Sequence, residues 1–159
     1  MAASTIKKVL VHRYDRETLV GHVNPGVYLL PEGVELQTIQ GNTVIIPYPD
    51  VKSIAFVREF EAPAPERQVF QTRPKMPGLW INLQFRDGDR MEGIIPNNLM
   101  LLDNSGITLT PPDPFGNQQK IFVPRTSLAA VEVLGVVGSP LKKRKPKVAP
   151  KEQIGLFEE

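Results

Sequence analysis

The chain contains itself. From Val9, the run V-L-V-H-R-Y-D-R-E-T-L-V-G-H-V lies over I-N-L-Q-F-R-D-G-D-R-M-E-G-I-I from Ile81, at an offset of 72. Asp15 falls on Asp87, Gly21 on Gly93, and Val9, Val11, Leu19 and Val23 fall on Ile81, Leu83, Met91 and Ile95. After a one-residue slip, Gly33–Leu36 meets Gly106–Leu109, and Gly41-Asn42 meets Gly116-Asn117 across a longer second loop. Then I-I-P-Y-P-D-V-K-S-I-A-F at Ile45–Phe56 meets F-V-P-R-T-S-L-A-A-V-E-V at Phe122–Val133, with Pro47 on Pro124, Val51 on Leu128 and Ile54 on Val131. Agreement that keeps its order along the whole unit marks a duplication, and both copies must share one local structure.

That structure reads as strands. Ile81, Leu83 and Phe85 alternate with Asn82, Gln84 and Arg86, the period-two pattern of a strand with one buried face. Asp87-Gly88 is a hairpin turn, because glycine accepts the positive φ such turns require. Asp15-Arg16 fills that place in the first copy and predicts a looser turn. A second strand is expected from Met91 through Ile95 toward Leu102, with Gly93 at a bend or bulge. Short strands follow near 107–110 and 121–123, then a turn at 124–127 and a last strand near 129–137. Each copy therefore predicts about five short, bent strands, the composition of a small barrel. The domains are expected at 5–58 and 79–138, joined by a Pro-rich linker over 59–78 in which 67–72 predict an edge strand.

Composition narrows the chemistry. The chain has 159 residues, no cysteine, and only His12 and His22 as histidines. Disulfides, thiol nucleophiles and thiolate metal sites are excluded, and a histidine-rich metal site is hard to build. No apolar run approaches the roughly eighteen residues of a membrane span, and the N-terminus lacks a secretory pattern. A cytoplasmic protein without membrane contact is expected. Phosphate-binding glycine loops, nucleophile elbows and zinc-protease helices are all missing, and Ser53 and Ser127 have no histidine arranged to serve them. His12 is expected to face solvent, opposite Val9 and Val11, and the second copy has Gln84 in its place. Asp15 and Asp87 recur as turn caps rather than as catalytic acids. Trp80 is expected to pack on core or linker. The reading is a non-enzymatic protein without cofactor.

The charge is uneven. Residues 140–159 carry +3, through Lys142, Lys143, Arg144, Lys145, Lys147 and Lys151, and the rest of the chain carries −1. Binding of nucleic acid by a whole fold normally shows as a basic body, which is absent here. Residues 139–159 are expected to be a disordered basic tail. The cluster Lys142, Lys143, Arg144, Lys145 and Lys147 reads as a solvated spacer, as nonspecific attraction to DNA or RNA, or as a nuclear import signal. The end of the tail differs, because Gln153, Ile154, Leu156 and Phe157 form a compact apolar peptide.

Two resemblances follow from these residues. I-N-L-Q-F-R-D-G-D-R-M-E-G and F-V-P-R-T-S-L-A-A-V-E-V are similar to the two motifs of the Sm-like small β-barrel, itself of SH3-like type, over about 6–58 and 79–137. The resemblance implies an all-β fold of two tandem five-stranded barrels and an RNA- or single-strand-binding activity. Such units pair their edge strands, and open outer edges would then permit self-association. The tandem sequence also looks like a bacterial family that brings no function with it. Q-I-G-L-F resembles the bacterial sliding-clamp-binding peptide, in which glutamine hydrogen-bonds at the pocket edge and Leu-Phe fill apolar pockets. Four of its five positions fit, with Gly155 the departure. The expectation is an adaptor that docks on the sliding clamp in DNA replication or repair. The alternatives are an Sm-like nucleic-acid binder and a protein-only regulatory module.

Overall fold

A computed structural model describes residues 6–61, 69–98, 104–112 and 116–138. The described residues are all-β. The first copy gives β1 (Lys7–Arg13), β2 (Thr18–Val23), β3 (Val34–Thr38), β4 (Thr43–Ile46) and β5 (Val51–Val57). The second gives β6 (Gly78–Phe85), β7 (Arg90–Ile95), β8 (Gly106–Leu109), β9 (Gln118–Pro124) and β10 (Leu128–Val137). A short 3-10 turn precedes the fifth strand of each copy, at Tyr48–Asp50 and Arg125–Ser127, directly after the matched Pro47 and Pro124. A proline with fixed φ and no N–H ends the strand before it and sets up the turn.

The matched turns have one conformation. Arg13 N–H donates to Glu17 O (3.0 Å) and Arg16 N–H to Arg13 O (3.2 Å), while Phe85 N–H donates to Asp89 O (2.8 Å) and Gly88 N–H to Phe85 O (2.9 Å). Gly88 sits at φ 98° and Arg16 at φ 74°, so Arg16 adopts the left-handed backbone that glycine takes in the second copy. The first turn is therefore as tight as the second, contrary to the sequence expectation. Asp15 Oδ1 accepts from Glu17 N–H (3.0 Å) and Asp87 Oδ1 from Asp89 N–H (3.1 Å), the expected caps. Gly21 owes its place to close approach rather than to a bend. A Cβ there would lie 2.4 Å from the Gln37 carbonyl oxygen on β3.

The strand order is β4-β3-β2-β1-β5-β9-β8 in one sheet and β10-β6-β7 in the other. The two sheets touch through the Ile94–Thr110 bridge between β7 and the residue after β8. Following the strands through that bridge gives one ribbon whose free ends are β4 and β10. These are two sheets, not the two closed barrels expected. The reason is that β5 pairs with β1 on one side and on the other turns outward to β9 of the second copy, at Ile54↔Phe122, Ala55↔Ile121 and Phe56↔Lys120.

This joint also mixes the cores. Val9, Val11, Val34, Leu36, Val51 and Ile54 of the first copy pack with Phe122 of the second. Ile81, Leu83, Phe85, Met91, Leu109, Ile121 and Val123 of the second copy pack with Ala55 and Val57 of the first. Because β5 is covered on both faces, it reads as a near-continuous apolar run rather than an alternating one. In the linker, residues 69–72 run as bends and irregular chain instead of the expected edge strand. They are tied down by Phe70, whose N–H donates to Glu92 Oε1 (3.1 Å) and whose ring meets the Trp80 edge. Trp80 Nε1–H donates to the same oxygen (3.1 Å), which is the linker packing expected of it.

Candidate functional site: the cleft between the repeats

The two Asp turns face each other across the joint. Tyr14 and Arg86 occupy the same place in the two copies, and the Arg86 guanidinium lies 3.9 Å over the Tyr14 ring. Cation–π contact of this closeness fixes both side chains. Arg86 Nη1 also donates to Thr126 O (3.2 Å), and its backbone N–H to Ser127 O (3.0 Å). The Tyr14 hydroxyl shares a hydrogen bond with the fully buried Ser127 hydroxyl, which donates in turn to Lys52 O (2.9 Å).

Behind this staple opens a cleft of about 710 Å³. β1 and its turn supply His12, Arg13 and Arg16, β5 supplies Lys52 and Ser53, the second Asp turn supplies Asp87, Asp89 and Arg90, and β9 supplies Gln118. Lys52 Nζ is held by Asp87 Oδ2 (2.7 Å) and by Asp89 Oδ2, and sits 5.1 Å from the Phe85 ring centre. Burial alone pulls the Lys52 ammonium down, but hydrogen bonds to the two aspartates outweigh it and hold its pKa above the ordinary value. The Asp87 carboxyl is correspondingly held below its usual range by Lys52. Arg13 reaches Asp15 at 3.2 Å. Arg13 Nε and Gln118 Oε1 are buried here with no hydrogen-bond partner among the described residues.

His12 corrects the sequence reading. It is half-buried in the cleft instead of facing solvent, because the second copy closes over that face of β1. Burial, and then the Lys52 charge, lower its pKa from the ordinary 6.5. The folded protein thus resists protonating His12, while the unfolded chain does not. Stability from this residue is complete above pH 6.5 and declines as pH falls through the lowered pKa. In His12→Gln, which installs the residue that the second copy carries, Tm measured from pH 7.5 to 5 should fall less steeply than in the native chain. Equal slopes would contradict the assignment.

Three of the acids at the two turns are ion-paired, Asp15 with Arg13 and Asp87 and Asp89 with Lys52. Among the described residues no group of three or more His, Asp or Glu is placed to hold a metal, and no helix is long and apolar enough to cross a membrane. The residues singled out from sequence, Gln153, Ile154, Leu156 and Phe157 with Lys142, Lys143, Arg144, Lys145 and Lys147, lie outside the described residues. Sequence reasoning missed Lys52, Arg86, Asp89 and Gln118. Lys52 falls on Ala129 in the repeat, so duplication gave no hint of it, whereas the spacing Asp15-Arg16-Glu17 over Asp87-Gly88-Asp89 did place two acids at each turn.

Residues 5–135 match the model of a family of unknown function (DUF6982). No curated protein and no solved structure matches the chain.

Proposed function

The chain belongs to the DUF6982 family, which brings no activity with it, so we propose a role read from its own residues: a non-enzymatic adaptor of the bacterial cytoplasm that docks on the sliding clamp. The observation that carries this reading is the peptide Gln153-Ile154-Gly155-Leu156-Phe157, with four of five positions of the clamp-binding pattern. Leu156 and Phe157 are the apolar anchors, Ile154 packs beside them, and Gln153 supplies the polar contact. Short recognition peptides concentrate affinity in a few buried side chains, because ordering the rest costs entropy. Lys142, Lys143, Arg144, Lys145 and Lys147 complement this by attracting the DNA that a clamp encircles.

The test is a titration of fluorescently labelled full-length chain with purified bacterial clamp, read by anisotropy. Saturable binding at roughly micromolar Kd is expected, reduced at least about thirtyfold by Leu156→Ala with Phe157→Ala, since two buried anchors at about 1–3 kcal/mol each are removed. The double variant should keep the native Tm. Binding that ignores the double substitution, or no binding by the native chain, overturns the reading.

A second reading is favoured by the order β4-β3-β2-β1-β5 and by the unpartnered Arg13 Nε and Gln118 Oε1. On this reading each repeat is an opened Sm-like barrel, and the cleft binds a single-stranded nucleic acid. Salt-sensitive oligonucleotide binding that survives truncation after Gly138 would favour it over the adaptor.

A further inference from the structure

The internal joint between β5 and β9 is a worked example of what the two free ends of the ribbon lack. In the first copy, Val11 pairs with Ile54 and Val9 with Phe56, and in the second, Leu83 pairs with Val131 and Ile81 with Val133. β10 thus stands in its repeat as β5 stands in the other. By the same correspondence, β4 stands where β9 does, with Ile45 at the place of Phe122 and Val44 at that of Ile121.

The positions are alike, but their burial is not. Ile54 is 0% exposed and its counterpart Val131 is 40%; Phe122 is 0% exposed and its counterpart Ile45 is 46%. Val57 and Ile121 are buried, while Leu134 and Val44 are exposed. In the first repeat the fifth strand is covered by a fourth strand from the neighbouring repeat. Among the described residues no strand covers it in the second repeat, and the fourth strand of the first repeat covers none. Six of the ten large apolar side chains exposed among the described residues (Val44, Ile45, Val131, Val133, Leu134 and Val136) lie on these two edge strands. Isolated exposed apolar residues are ordinary, but a complementary set on two unpaired edges is not.

We infer that β10 of one chain pairs antiparallel with β4 of a second copy, in the register of the internal joint: Val131 opposite Ile45, Glu132 opposite Val44, Val133 opposite Thr43. Ile45 then enters the second core as Phe122 enters the first. Pairing uses the upstream half of β10, because Arg73 Nη2 already donates to the Val136 carbonyl (2.7 Å). The contact is weaker than its internal counterpart. Glu132 stands where Ala55 is buried, and Asn82 beside it stands where Leu10 lies, so the outer face of the second repeat is polar where that of the first is apolar. A carboxylate in that place must be desolvated or must turn aside, which keeps the association reversible. The contact is head-to-tail, so repeated use gives a ring if the rotation closes and an open chain if it does not.

The test is sedimentation of the full-length chain across about 1–300 μM, a range suited to a weak contact. The native mass should rise with concentration above the monomer's 17.7 kDa. Glu132→Ala should shift the midpoint to concentrations about tenfold lower by removing the buried charge. Ile45→Asp spoils one edge and Val131→Asp the other, and each variant alone should stay monomeric with native circular dichroism. Mixed, they should form a dimer that grows no further, because each still offers the edge that the other needs. A native chain that stays monomeric throughout, a growing mass indifferent to Ile45→Asp, or a mixture of the two variants that fails to dimerise would overturn the inference.

Discussion

Phe122→Ala should destabilise the whole molecule by about 3–5 kcal/mol, the usual loss when a fully buried phenylalanine leaves a cavity. Phe122 is 0% exposed, lies 6.0 Å from the Tyr28 ring in edge contact, and belongs by sequence to one repeat and by packing to the other. For a chain of this size the loss corresponds to a fall in Tm of roughly 10 °C. The more telling result is where the damage appears. Trp80, the single tryptophan, sits on β6 in the second repeat, whereas the cavity opens in the first core. If the joint couples the cores, tryptophan fluorescence and far-ultraviolet circular dichroism should shift together to one lower midpoint. A tryptophan transition left at the native midpoint would show that the repeats melt independently, and the shared-core description would fail.

Gly21→Ala is the second large effect, at about 1–3 kcal/mol, the range for forcing extra atoms into a packed position. The new methyl would sit 2.4 Å from the Gln37 carbonyl oxygen and 2.9 Å from Leu36 Cδ1. The first of these is backbone in the middle of the seven-stranded sheet, where Gly21 pairs with Val9 on one side and Thr38 on the other. The Gln37 carbonyl cannot retreat without opening β2 from β3. Gly93→Ala, its counterpart, should cost less. There the nearest atom is a side-chain methyl, Leu109 Cδ1 at 2.5 Å, and β7 meets the end of β8 through one bridge that can yield. Urea midpoints for the two variants should rank in that order, and the reverse would place the rigid contact at the other strand pair.

The contrast shows what was legible in the residues. Local patterns carried the strands, the Asp-capped turns and the proline-led turns before β5 and β10. They depend on neighbours a few positions apart, which a sequence displays directly. The joint was not legible in that way. Ile54 and Phe122 are matched by shape across the fold, and nothing near either names the other. The same distance hid Lys52 from Asp87 and Asp89, and it made His12 look solvent-facing when the second repeat covers it. Arg16 failed for a different reason, since a residue other than glycine at positive φ is held there by its turn and leaves no compositional mark.

The exchange of core residues also bears on how the chain is made. When β5 leaves the ribosome, the core it helps to build lacks the Phe122 ring that packs against Tyr28, and its outer edge has no partner. Both arrive only with β9, some 65 residues later. At about 5–20 residues per second, that is an interval of several seconds. Through that interval the nascent first repeat exposes an apolar vacancy beside an unpaired strand, so its completion waits on translation rather than on folding.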